Sequence, residues 1–110
     1  METTMRLSEP YYSLVSSKKK SIELRIYDEK RKQLAVGDLI RFTDTNGKHG
    51  FCRKVKKLRV FPDFETAIRS CTLKRCLPNV SRVKEGVKVY HSIPGYSMES
   101  KKYGVIAIFM

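Results

Sequence analysis

No stretch of this chain is apolar for long enough to cross a bilayer, which takes about 20 residues. The longest apolar run, Val105 to Met110, is a fraction of that. The first residues, Met1 to Arg6, contain no apolar core of the kind that opens a secretory signal. Tryptophan is absent, and there are only three cysteines, Cys52, Cys71 and Cys76. An odd count without an export signal points to reduced thiols in an intracellular protein, cytoplasmic or nuclear. Cys71 and Cys76 are separated by four residues, no His lies close enough to them to complete a zinc pattern, and no metal is expected. A glycine-rich phosphate loop and a nucleophile elbow are both missing, and no cofactor is expected. Internal repeats and low-complexity segments are absent too. The 110 residues suit one domain spanning 1–110, with one modest core.

Acidic residues are few beside the basic ones. The chain has 23 Lys/Arg against 11 Asp/Glu, a formal net charge of +12. The excess is concentrated between Arg41 and Lys88, where 13 Lys/Arg face four Asp/Glu. Such a bias predicts an anionic partner, with nucleic acid ahead of a membrane surface.

What is present is organised around Lys18-Lys19-Lys20-Ser21-Ile22-Glu23-Leu24-Arg25. After three lysines the chain alternates. Ile22, Leu24 and Ile26 take one side of an extended segment, and Ser21, Glu23, Arg25 and Tyr27 the other. That is a half-buried strand from about Ser21 to Asp28. Ahead of it, Ser8 as N-cap and Pro10 in the first turn predict a short helix over Glu9 to Ser17. The lysines then fall at a helix C-terminus, where cations are favoured without any ligand.

Further along, Leu39 to Thr43 reads as a strand, and Asn46-Gly47 as a hairpin tip. A long third strand follows from Phe51 to about Val60. Its apolar phase changes between Phe51/Val55 and Leu58/Val60, which a bulge near Lys56 would reconcile. Asp63 caps a helix whose stripe is Phe64, Ala67, Ile68 and Cys71. Val80, Val83, Val87 and Tyr90 have helical spacing around Gly86. Ser97 to Lys102 forms a short helix closed by Gly104. Val105 to Phe109 is apolar on both faces and reads as a central, doubly covered strand. Strands at both ends with small helices between predict an α+β fold: a small barrel of five to six mostly antiparallel strands with short flanking helices.

Four motifs carry a family resemblance: Glu9-Pro10-Tyr11-Tyr12, Lys19 to Arg25, Val36-Gly37-Asp38-Leu39-Ile40-Arg41-Phe42, and Tyr103-Gly104-Val105-Ile106-Ala107-Ile108. In this order and spacing the chain resembles the ASCH domain, a family named for homology to activating signal cointegrator. The resemblance implies a PUA-like β-barrel and a cleft beside the first long strand that accepts RNA or another nucleic acid. Some members of the family are enzymes. One group hydrolyses the acetyl amide of N4-acetylcytidine nucleosides with a Lys, a Thr and a Glu; others are described as ribonucleases, or as coactivator modules that bind without chemistry. Lys20 matches the family lysine. Glu23 stands where the amidohydrolase group has its threonine, and residues 67–78 hold no acid to serve as its glutamate.

Three readings follow for the strand and its surroundings. As a nucleic-acid site, Tyr11 and Tyr12 stack bases and Lys18, Lys19, Lys20, Ser21, Glu23 and Arg25 form the specific end of a cleft. Arg53, Lys54, Lys56 and Lys57, in the basic hairpin from Arg41 to Arg59, supply the electrostatic approach. As a ribonuclease or nucleoside amidohydrolase, Lys20, Glu23 and Tyr12 are the catalytic candidates. As plain structure, Glu23 and Arg25 are a same-face ion pair and Tyr11 is core. The expected partner is RNA, single-stranded nucleic acid or a modified nucleoside, and not a membrane.

Overall fold

The computed structural model of the protein describes residues 2–110. Six strands form two three-stranded sheets. In the first, β1 (Glu2–Arg6), β3 (Leu39–Thr43) and β4 (Gly50–Lys54) lie in the order β1-β3-β4. β1 runs parallel to β3, with Thr3 opposite Ile40 and Met5 opposite Phe42, and β3 and β4 form an antiparallel hairpin. The second sheet, β2 (Ile22–Ile26), β6 (Val105–Phe109) and β5 (Lys57–Phe61), is antiparallel throughout, with β6 in the middle. The two sheets are not closed into a barrel, which corrects the closed architecture expected from the sequence.

The double apolar face of β6 explains the layering. Val105 and Ala107 pack with Ile22, Leu24 and Ile26 against the helices, while Ile106 and Ile108 pack with Met5, Ile40, Phe42 and Val55 against the other sheet. One strand thus serves as the wall between two cores. Fully burying a side chain such as Ile108 or Phe42 contributes roughly 1.5–3 kcal/mol each, so this arrangement accounts for much of the driving force.

The phase change after Val55 marks a change of sheet, in place of the expected bulge within one strand. The amide of Val55 donates to Asp38 O in the first sheet's loop, whereas the next amide, Lys56, donates to Phe109 O at the end of β6. One peptide unit separates the two partners. β1 was not anticipated at all. Its apolar signal is thin, resting on Met5 within the strand and Leu7 just after it, both buried, and the pairing comes from β3, 35 residues or more away in sequence.

The helices are short. α1 (Tyr11–Ser16) starts later than predicted, and the Ser8 side chain does not cap it. The Glu9 carboxylate does so, accepting hydrogen bonds from the Ser13 amide (2.9 Å) and hydroxyl (2.7 Å). Lys18, just past its end, has φ +67°, a conformation usually left to glycine; a side chain there costs about 1 kcal/mol. α2 (Phe64–Cys71) has the predicted Asp63 cap, with the carboxylate accepting from Thr66 N at 2.7 Å. α3 (Leu73–Cys76) and α4 (Val83–His91) follow. A Cβ on Gly86 would lie 3.1 Å from methyls of both Leu73 and Leu77, so the glycine lets α4 approach α3 closely. α5 (Tyr96–Tyr103) has Gly95 as its N-cap, two residues before the predicted Ser97 cap, and Ser97 lies inside the helix. No helix among the described residues is long and apolar enough to cross a membrane.

Candidate functional site

β2 is an edge strand of its sheet, and Glu23 and Arg25 of its polar row line a cavity. The cavity has a volume of about 370 Å³. Its walls come from the end of β1 (Arg6, Leu7), the approach to α1 (Ser8, Tyr11), α4 with the turn after it (Val89, Tyr90, Ser92, Ile93), and Tyr96 of α5; Lys20, Glu23 and Arg25 are among the lining residues.

The three charges form one buried chain. Glu23 is only 5% exposed and Lys20 only 2%. Oε1 of Glu23 lies 3.3 Å from Lys20 Nζ, and Oε2 accepts from Arg25 Nε at 2.8 Å and lies 2.8 Å from its Nη2. Burial pushes the Glu23 carboxyl up, but the charges of Arg25 and Lys20 and the hydrogen bonds from both outweigh it, so the group is held below the ordinary carboxylate value. Glu23 is therefore an ionised acceptor at neutral pH.

Lys20 is consumed by structure. Its Nζ donates to Ile22 O (2.8 Å) and to Cys76 O at the end of α3, besides pairing with Glu23. The Tyr90 hydroxyl is 3.5 Å away. An ammonium has three protons to give, and these contacts use them. Arg25 sends Nη2 to Arg6 O at 3.0 Å, tying β2 to the end of β1. Its Nη1 has no partner among the described residues, and the side chain remains 14% exposed. Tyr90 is buried, and its phenol is pushed well above its ordinary pKa, first by burial and then by the Glu23 charge. Its hydroxyl keeps its proton. The aromatic wall is ordered by Phe64, which stacks on Tyr90 at 4.5 Å between centroids and lies nearly parallel to Tyr96 at 5.8 Å.

The residues singled out in the sequence are thus divided. Tyr11, Lys20, Glu23 and Arg25 meet at the cavity. Tyr12 does not, because its ring packs edge-on against Phe51 at 5.2 Å in the core between the sheets. The grouping of Lys20, Glu23 and Tyr12 is accordingly not assembled. Lys18, Ser21, Arg53, Lys54 and Lys56 line a separate groove of about 270 Å³, whose wall Lys20 also forms. Lys19 is exposed and lines neither space, and Lys57 lies over the Phe109 ring at 5.3 Å. Arg53 is partly structural: it donates to Val15 O and Ser16 O at the end of α1 and covers the Phe51 ring. His91 is exposed and outside the cavity lining.

Tyr90 and Arg6 escaped the sequence reading of the site. Tyr90 did carry a signal, since a phenol at the end of a valine stripe brings a hydroxyl that needs a polar partner when buried. Arg6 carried none, because only the strand pairing of β1 brings it to β2. No group of His, Cys, Asp and Glu among the described residues is arranged to hold a metal ion.

Two stacked three-stranded sheets, a helical flank and a charged cavity at the free edge of β2 define the class: a small α+β domain with one built cleft. Its family is given by a profile described as the ASCH domain, which matches residues 5–109. The chain belongs to the ASCH domain family. Among solved structures it is similar to the crystal structure of the hypothetical protein PH0355, with 41% identity and a TM-score of 0.88 over 99% of this chain and 96% of that one. It is also similar to the solution structure of protein PF0455 from Pyrococcus furiosus, with 38% identity and a TM-score of 0.77 over 99% and 94% of the two chains. No curated protein matches it.

Proposed function

We propose that this ASCH protein binds single-stranded nucleic acid, RNA in the first instance, with an unstacked base entering the cavity beside β2. The observation that carries the reading is the polar floor of that cavity. An ionised Glu23 and the free Nη1 edge of Arg25 stand side by side on a rigid strand, within reach of Tyr11 and Tyr96. A planar base offers adjacent N–H donors and ring or carbonyl acceptors, and a carboxylate next to a guanidinium complements such an edge. Aromatic rings at the mouth suit a base removed from its stack. The formal charge of +12 supplies the long-range attraction for a polyanion.

Hydrolysis of RNA or of a modified nucleoside is the weaker reading. It asks Lys20 to move a proton or stabilise developing charge, and the Lys20 ammonium is already engaged by two carbonyls and Glu23. Fluorescence anisotropy with labelled RNA and DNA homopolymers tests the proposal. Affinity should fall linearly on a log–log salt plot, with a slope of about −0.7 per phosphate contact for single strands. Glu23→Gln, assayed at a temperature where circular dichroism shows it folded, should change the order of preference among the homopolymers. Absence of salt-dependent binding at low ionic strength would sink the reading.

A further inference from the structure

The second groove has a different chemistry from the cavity. It is lined by Lys18, Lys54, Lys56, Arg53 and Ser21, and no acidic side chain faces it. Lys18, Lys54 and Lys56 are exposed and enter no ion pair among the described residues. They arrive from three places: the end of α1, the end of β4 and the link to β5. Gathering like charges opposes folding; the end of α1 favours a cation at Lys18, but Lys54 and Lys56 have no such helix terminus of their own. At Lys18 the backbone would be better served by glycine. The basic strip continues past Ser21, whose hydroxyl accepts from Arg75 Nε at 3.0 Å.

We infer that this groove is a phosphate-binding track for the backbone of a single-stranded nucleic acid, distinct from the cavity at Glu23. Lysines are compact point charges on flexible stems; they neutralise phosphates without reading a base. The cavity pairs the Glu23 carboxylate with cations, whereas the groove presents cations with no carboxylate among its lining residues. Lys20 is the wall between them. The groove's preference for phosphate stands on its own residues, and only the identity of the polyanion rests on the function proposed above.

Two probes test this. Sodium tripolyphosphate titrated into labelled protein should shift the amide resonances of Lys18, Ser21, Lys54 and Lys56 and leave those of Leu24, Arg25 and Tyr96 in place. Shifts centred on the cavity, or none, overturn the site. With a labelled single-stranded RNA, Lys18→Gly/Lys54→Gln/Lys56→Gln should flatten the log–log salt slope by about 2, at about 0.7 per lost contact. Lys18→Gly relieves the positive φ, so its thermal midpoint should not fall. The control Lys30→Gln/Lys84→Gln/Lys101→Gln removes the same charge from exposed positions outside both spaces and should leave the slope unchanged. Equal flattening in both triples means diffuse charge and overturns the groove. Tripolyphosphate binding with an unaltered RNA slope overturns the assignment to a nucleic-acid backbone and leaves a small polyphosphate or an acidic protein as occupant. If the groove variants behave as expected while Glu23→Gln leaves base preference untouched, the cavity reading fails and the groove stands.

Discussion

Replacing Glu23 by glutamine keeps the shape of the side chain and removes the one negative charge between Lys20 and Arg25. Both cations then remain in a site where Lys20 is 2% exposed and the Arg25 side chain 14%. Breaking a buried ion pair by removing one partner costs about 3–5 kcal/mol, because the surviving charge is left uncompensated. The glutamine carbonyl can still accept from Arg25, but its amide hydrogens then face the Lys20 ammonium, so we expect the low end, about 3 kcal/mol. For 110 residues, an unfolding entropy of about 2.1 cal/mol/K per residue turns that into a fall in Tm of about 13 °C.

The pH dependence separates charge from packing. The Glu23 carboxyl lies below the ordinary value of 4.5 in the folded protein, so the folded state binds its proton less readily than the unfolded chain. Its stabilising contribution is complete above 4.5 and is lost as pH falls through the folded value. The gap between wild type and Glu23→Gln should therefore be constant near neutrality and narrow in acid. Differential scanning calorimetry across this range checks both points. A fall in Tm of less than about 3 °C at neutral pH, or a gap indifferent to acid until global unfolding, would refute the account of the buried charge chain.

Two other outcomes are expected. Gly86→Ala should destabilise by about 1–3 kcal/mol in urea denaturation, although alanine is the better helix former, because its methyl would press on the Leu73 and Leu77 methyls at 3.1 Å. Cysteine labelling should be selective. Burial pushes the Cys76 thiol up to about 12 and raises that of Cys71, whereas Cys52 is exposed; mass spectrometry after brief alkylation at mildly alkaline pH should find one modified thiol in the native protein and three in denaturant. Rapid native labelling of all three would contradict the buried placement of the α2–α3 corner.

Local signals on this chain were read correctly where neighbouring residues decide the outcome. The alternation around Ile22, Leu24 and Ile26, the Asp63 cap with its Phe64, Ala67, Ile68 and Cys71 stripe, and the two-sided apolar run of β6 are all period and capping effects. They act over a few residues, so a string of letters contains them. The same strand pattern put Glu23 and Arg25 on one face, and a paired geometry follows from a two-residue repeat. The family motifs, too, are linear, and the profile match over residues 5–109 bears out the resemblance they carry.

What the string did not contain is where strands go once formed. The amides of Val55 and Lys56 are neighbours, yet one bonds to the loop before β3 and the other to β6; the phase change in sequence marks the place without saying that the chain leaves one sheet for another. β1 exists because β3 offers a free edge, a fact about residues far apart. The same physics divided the lysines and tyrosines. Sequence placed Tyr11, Tyr12 and Lys18 to Lys20 in one run. Only packing could turn Tyr12 onto Phe51, bury Lys20 against the carbonyls of Ile22 and Cys76, and send Lys18 to a groove with Lys54 and Lys56. Composition and periodicity determined that this would be a basic α+β domain with a charged strand near its start. Long-range pairing, which no local pattern encodes, decided that the strand would lie at a sheet edge with a cavity on one side of Lys20 and a groove on the other.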